Sequence, residues 1–224
     1  MDLNWWLHTD AGLLARIAIG AAFFLILAIV DLLHRGRNAT RWREYLFLLV
    51  CAAVAMAYGF VNDYLSSSVS WEYFYFGKGL DQQLGPHVPP EMNRLRWEAC
   101  KIGLKATWSV GLLIGVALLI ANNPRRGRPQ LPYSGLLNRL VGVLIVTACF
   151  AAVGALLGSR GWLNWTSHDF SALWREDLFR PRTFATVYGM NLGGYAGGVV
   201  GTILATISFA RGRRSSEDSE KIEQ

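Results

Sequence analysis

Catalytic signatures are what this sequence lacks most plainly. Its 224 residues hold no Gly-Lys-Ser/Thr phosphate loop, no Gly-x-Ser-x-Gly elbow and no His-Glu-x-x-His zinc helix. Cysteine is scarce, and Cys51, Cys100 and Cys149 are spaced for neither a zinc site nor a redox pair, which also excludes a disulfide framework. Charge is sparse too, at 17% of residues. The net charge of +6 does not make the chain a nucleic-acid binder, because its basic residues flank apolar runs instead of forming one stripe.

What is present is hydrophobic length. Apolar residues make up 52% of the chain, high for a soluble protein of this size. A bilayer core of ~30 Å takes ~20 apolar helical residues, since every backbone polar group there must be paired within the helix. Stretches 11–33, 45–65, 136–157 and 187–210 meet that length, and 106–121 reaches it by continuing a preceding amphipathic helix that opens at Pro90-Glu91. The expected fold is an all-α bundle of five transmembrane helices forming one domain over 1–210, followed by a polar, disordered cytoplasmic tail, 211–224. No basic region precedes the first span and no small-residue cleavage site follows it, so it is expected to remain in the mature protein.

Basic residues favour the cytoplasmic side of a membrane. With the N-terminus outside, the inner segments carry Arg35, Arg37, Arg41, Arg43, Arg125, Arg126, Arg128, Arg139, Arg211, Arg213, Arg214 and Lys221. That is more than half of the 22 basic residues in roughly a third of the non-spanning sequence, which predicts N-out, C-in. Tryptophan agrees: eight of the nine, all but Trp42, fall on or near the predicted outer side, at the depth indole prefers, namely Trp5, Trp6, Trp71, Trp97, Trp108, Trp162, Trp165 and Trp174. The outer loops, 66–105 and 158–186, are the long ones. Within the first, the alternating β-formers of 66–76 suggest a short surface hairpin before Gly77-Lys78-Gly79. An amphipathic turn over 170–179 is expected in the second.

Polar residues cluster in two places. Glu91, Arg94, Glu98, Lys101, Lys105 and Trp108 recur at steps of three and four, giving the third helix one ionic face. Glu98 pairs in sequence with both Arg94 and Lys101, while Lys105 is left needing an acid from elsewhere; Asp63 and then Glu72 are the candidates. On the fifth span, Gly189, Gly193, Gly197 and Gly201 form a ridge for close helix packing. Opposite it runs a hydrogen-bonding ladder of Tyr188, Asn191, Tyr195, Thr202 and Thr206. Ionisable groups at such depths turn toward protein or water, so Asp63, Glu98, Lys101, Lys105, Tyr188, Asn191 and Tyr195 are the expected residues of an outward-facing polar site. His168 and Asp169 are the weak metal-ligand candidates, without diagnostic spacing, and Asp31 is expected to be neutralised by His34 and Arg35.

Asn62-Asp63, Ser70-Trp71-Glu72-Tyr73-Phe74 and Lys78, together with Tyr188, Asn191, Tyr195 and Gly197-Gly198, resemble a pattern of uncharacterised bacterial multi-pass membrane proteins. The resemblance implies a bacterial inner-membrane protein and carries no activity. Function then divides three ways: a structural or accessory subunit of a larger assembly, meeting partners or itself through the glycine ridge; a small transporter or channel component; or an outward-facing membrane enzyme. The sequence names no cofactor. The bilayer is the one partner its composition demands, and nucleic acid is not one.

Overall fold

The computed structural model describes residues 9–123, 130, 132–168 and 179–222, with backbone alone for 210–222. Five long helices account for most of it: α1 (Asp10–Arg35), α2 (Trp42–Val69), α3 (Met92–Asn122), α4 (Tyr133–Ser159) and α5 (Pro181–Ile222). Each contains a stretch long and apolar enough to cross a membrane. The chain is therefore an integral, multi-pass α-helical membrane protein.

Local chemistry sets the helix ends. Thr9 caps α1, its hydroxyl accepting from the Gly12 N–H at 3.0 Å, with Asp10 in the first turn where the helix dipole favours an anion. Glu91 caps α3 by accepting from the N–H groups of Asn93 and Arg94. At the other end of α1, Gly36 turns the chain with a φ of 51°. There Asp31 accepts from the Trp42 N–H at 3.0 Å and lies 3.6 Å from Arg35 Nε, fixing the tight turn between α1 and α2.

The helices pack as two antiparallel pairs, α2 with α3 and α4 with α5, while α1 lies against α2. Glycine makes both pairings possible. A Cβ added at Gly103 would strike the Gly59 backbone, and one at Gly111 would lie 2.8 Å from Ala52 Cα. In the other pair, Gly189 meets Gly154, Gly193 meets Phe150, Gly197 meets Thr147 and Phe150, and Gly201 meets Val143. The glycine ridge of the fifth span is thus covered by α4 of the same chain.

Two expectations need correction. The segment expected to form a β-hairpin is helical: α2 runs on through Val69, and after a break at Ser70 a wide helical turn spans Tyr73–Gly77. No strand occurs among the described residues. The Ser67 and Ser68 hydroxyls donate back to the Tyr64 carbonyl within α2, and Ser70 then acts as a new cap, accepting from the Tyr73 N–H at 3.3 Å. Tyr73, Phe74 and Tyr75 are consecutive and all buried, against Leu95, Ala99, Phe184 and Val187. A strand would turn alternate side chains away from that core, so burial overrides β-propensity. The second correction concerns the tail, expected to be disordered: the backbone of α5 continues helical to Ile222.

Glu72 is sealed beneath this aromatic plug at 2% exposure, accepting from the Ser70 hydroxyl at 2.7 Å. Burial pushes its carboxyl above the ordinary range, against weaker opposing pulls from Ser70, the backbone and Arg180. A carboxyl whose folded pKa is raised stabilises fully below its unfolded value and loses that contribution as pH rises through the folded one. Thermal unfolding in detergent is therefore expected to show wild-type stability falling with pH from the acidic range upward, relative to Glu72→Gln. Parallel curves for the two proteins would exclude this.

Candidate functional site

Between the two helix pairs lies a cleft of about 460 Å³. Its wall comes from α2, α3, α4 and α5, and it exists because the packing glycines of each pair face inward to their own partner. Small residues on the opposing faces keep it open: a Cβ at Gly194 would meet only the Tyr58 hydroxyl at 3.3 Å, and one at Gly198 only Thr147 Oγ1 at 3.9 Å. The lining extends from Cys51 to Asp63 on α2 and from Asn191 to Ile203 on α5, a rise of roughly 18 Å at ~1.5 Å per residue.

Polarity is concentrated at the end nearer the 66–91 loop. Asn62 Nδ2 donates to Asp63 Oδ1 at 3.0 Å and to Asn191 Oδ1 at 3.3 Å, and Asn191 Nδ2 donates to the Val187 carbonyl at 3.1 Å. Tyr58 and Tyr195 complete this end. Asp63 is 5% exposed, and among the described residues no Lys or Arg is in ion-pair contact with it. Among the described residues, Lys78 is a cation whose charge reaches it, with its ammonium 5.5 Å from the Tyr73 ring centre. Farther along the slot the hydroxyls are already engaged: Thr107 donates to Gly103, Thr147 to Val143 and Thr202 to Gly198, each back along its own helix. Val54, Ile114, Leu140, Val143 and Ile203 make the remainder apolar.

The residues expected to form one polar site divide into two groups, with Tyr188 in neither. Asp63, Asn191 and Tyr195 line the cleft. Lys101 and Lys105 instead turn toward α1, where both grip Asp10: Lys101 Nζ lies 2.7 Å from Oδ2 and Lys105 Nζ 2.5 Å from Oδ1. Glu98 joins them at 2.6 Å from Lys101. The acid that answers the excess lysine is therefore Asp10, in place of the expected Asp63 or Glu72. This cluster is partly exposed, Asp10 the most, and fastens α1 to α3 with the modest strength of solvent-screened pairs. Arg94, expected to pair with Glu98, donates to the Gln83 carbonyl at 3.3 Å. Tyr188 packs beside the aromatic plug, its ring 6.4 Å from that of Trp165.

Asn62 and Tyr58 were missed as site residues. The signal for them existed, since Tyr58 and Asn62 fall one turn apart on one face of the second span, with Asp63 at its margin, but an amide beside a carboxylate reads as a helix end when the partner helix is unknown. The metal-ligand candidate Asp169, with Trp5, Trp6, Trp174 and most of the amphipathic turn expected over 170–179, lies outside the described residues. His168 directly follows the short turn Asn164–Ser167, and no cluster of three metal-ligating side chains occurs among the described residues. Compared with known protein families, curated proteins and solved structures, the chain gives no match.

Proposed function

We propose that this chain is a membrane transport or carrier component that takes an amphiphile with a cationic head into the cleft between its helix pairs. One observation carries the reading: a slot about 18 Å long ends in a buried carboxylate without an ion-pair partner among the described residues, and is aliphatic elsewhere. A head that brings a positive charge relieves the cost of Asp63, and the Tyr58 and Tyr195 rings beside it suit an ammonium. The tail replaces contacts that the separated pairs do not make with each other. Binding of a fluorescent long-chain alkylammonium probe to the purified protein tests this, with Asp63→Asn removing the head contact and Gly198→Leu filling the slot. Undiminished binding in both variants sinks the proposal.

The arginine-rich turns support an arrangement with the N-terminus and the 66–91 loop outside, in a bacterial inner membrane as the sequence pattern implies. Alkaline phosphatase fused after Arg160 is then expected to be active and the same fusion after Asn123 inactive; the reverse pattern would overturn the assignment. In that orientation the polar end of the cleft is its outer end.

A second reading, accessory subunit of a larger assembly, draws on α1. This helix lies chiefly against α2 and leaves Leu14, Ile19, Phe23, Ile26 and Leu33 exposed, so it has an apolar face for another membrane helix. The reading replaces the first if the probe fails to bind and a stoichiometric partner accompanies the chain out of its native membrane.

A further inference from the structure

The side of the α2–α3 pair turned away from the cleft carries a second, smaller hollow of about 290 Å³, lined by Phe60 and Tyr64 of α2 and by Asn93, Arg96, Trp97 and Cys100 of α3. The four α3 residues follow the steps of three and four that put them on one face, and that face is turned away from the stripe carrying Glu98, Lys101 and Lys105. Arg96 is the unusual member. Its Nε is buried without a hydrogen-bond partner, and among the described residues its guanidinium has no ion pair. Acids of the same helix are engaged elsewhere, Glu91 on the helix N-terminus and Glu98 on Lys101. A guanidinium with its Nε buried and unpartnered favours an anion, and its planar fork fits a phosphate by two parallel N–H donors.

The surroundings favour a particular source of that phosphate. Arg96 lies about one turn inside the start of α3, beside Trp97 and Tyr64, which are 60% and 48% exposed and of the residue types that favour the headgroup level. Trp97 meets Phe60 edge-on at 6.3 Å, so a rigid aromatic wall stands next to the cation. Asn93, exposed one turn earlier, offers a further polar group. We infer that this hollow is a binding site for the phosphate headgroup of a membrane phospholipid, held by Arg96 with Asn93 and flanked by Tyr64 and Trp97. The site is separate from the cleft and does not depend on what the cleft binds.

Native mass spectrometry of the full chain, released from delipidated detergent micelles after titration with phosphatidylglycerol or with a glycosyl diacylglycerol lacking phosphate, tests the inference. The phospholipid is expected to bind in preference to the glycolipid, and Arg96→Gln to weaken it about tenfold, the worth of one charge-assisted hydrogen-bond group. Arg94→Gln, whose guanidinium is held by the Gln83 carbonyl, is expected to leave phospholipid binding unchanged. Should Arg96→Gln fail to fold, Trp97→Ala at its exposed position serves in its place, with a severalfold loss expected. Equal binding of the two lipids, or phospholipid binding indifferent to the Arg96 and Trp97 substitutions, overturns the site. So does inorganic phosphate that displaces the lipid at equal concentration, since the acyl chains and membrane depth would then contribute nothing.

Discussion

Gly189→Ala is expected to lower the stability of the detergent-solubilised protein by about 1–3 kcal/mol, whereas Gly142→Ala raises it by about 0.5–1 kcal/mol. The two positions are both helical glycines, and intrinsic propensity alone favours alanine at each. Their surroundings differ. A Cβ at Gly189 would collide with the Gly154 carbonyl oxygen and lie 2.9 Å from Leu163 Cδ1, so the α4 and α5 backbones must separate to admit it. A Cβ at Gly142 meets nothing within 4 Å. Because the close approach is backbone on backbone, no rotamer change can relieve it, and the penalty also reaches neighbouring contacts at Gly193 and Gly158. Gly189→Leu is expected to yield no monodisperse protein at all. Thermal unfolding in mild detergent reads the series, and equal shifts at 189 and 142 would remove the case for ridge packing as the source of stability.

That result bears on what the sequence could and could not say. The five spans were legible because the bilayer imposes one requirement, length without charge, that every crossing helix must satisfy from its own residues. The glycine ridge was legible for the same kind of reason: a step of four is a property of one helix. Which helix it faces was not, since Gly154 and Gly158 on α4 belong to a pattern that becomes readable once the pairing is known. The same limit explains Asp10. Nothing local distinguishes an aspartate in the first turn of an apolar helix from an ordinary capping charge, yet it answers two lysines some ninety residues away. The segment following α2 misled for a different reason. Its residues carry real β-propensity, but three successive aromatic rings are buried here, and a strand would have turned every second one away from that core.

The cleft was half-legible, and its far-reaching consequence is the expected behaviour of Asp63→Asn. Asparagine keeps the size of the side chain and a carbonyl oxygen able to accept from Asn62, so the helices need not move. What disappears is the negative charge. A cationic head that pairs with Asp63 in this enclosed setting loses about 2 kcal/mol or more, about thirtyfold in Kd, while a neutral amphiphile of equal chain length loses little. Gly198→Leu acts on the other part of the ligand: the leucine side chain enters the slot beside Thr147 and displaces tail of either kind, so both probes weaken together. The pair of variants thus separates head recognition from slot occupancy. Charge-selective loss at 63 with charge-blind loss at 198 is the pattern that a cleft binding its ligand lengthwise demands. A cation effect at 63 without any effect at 198 would move the bound molecule out of the slot and reduce the site to a small-ion position among Asn62, Asp63 and Asn191.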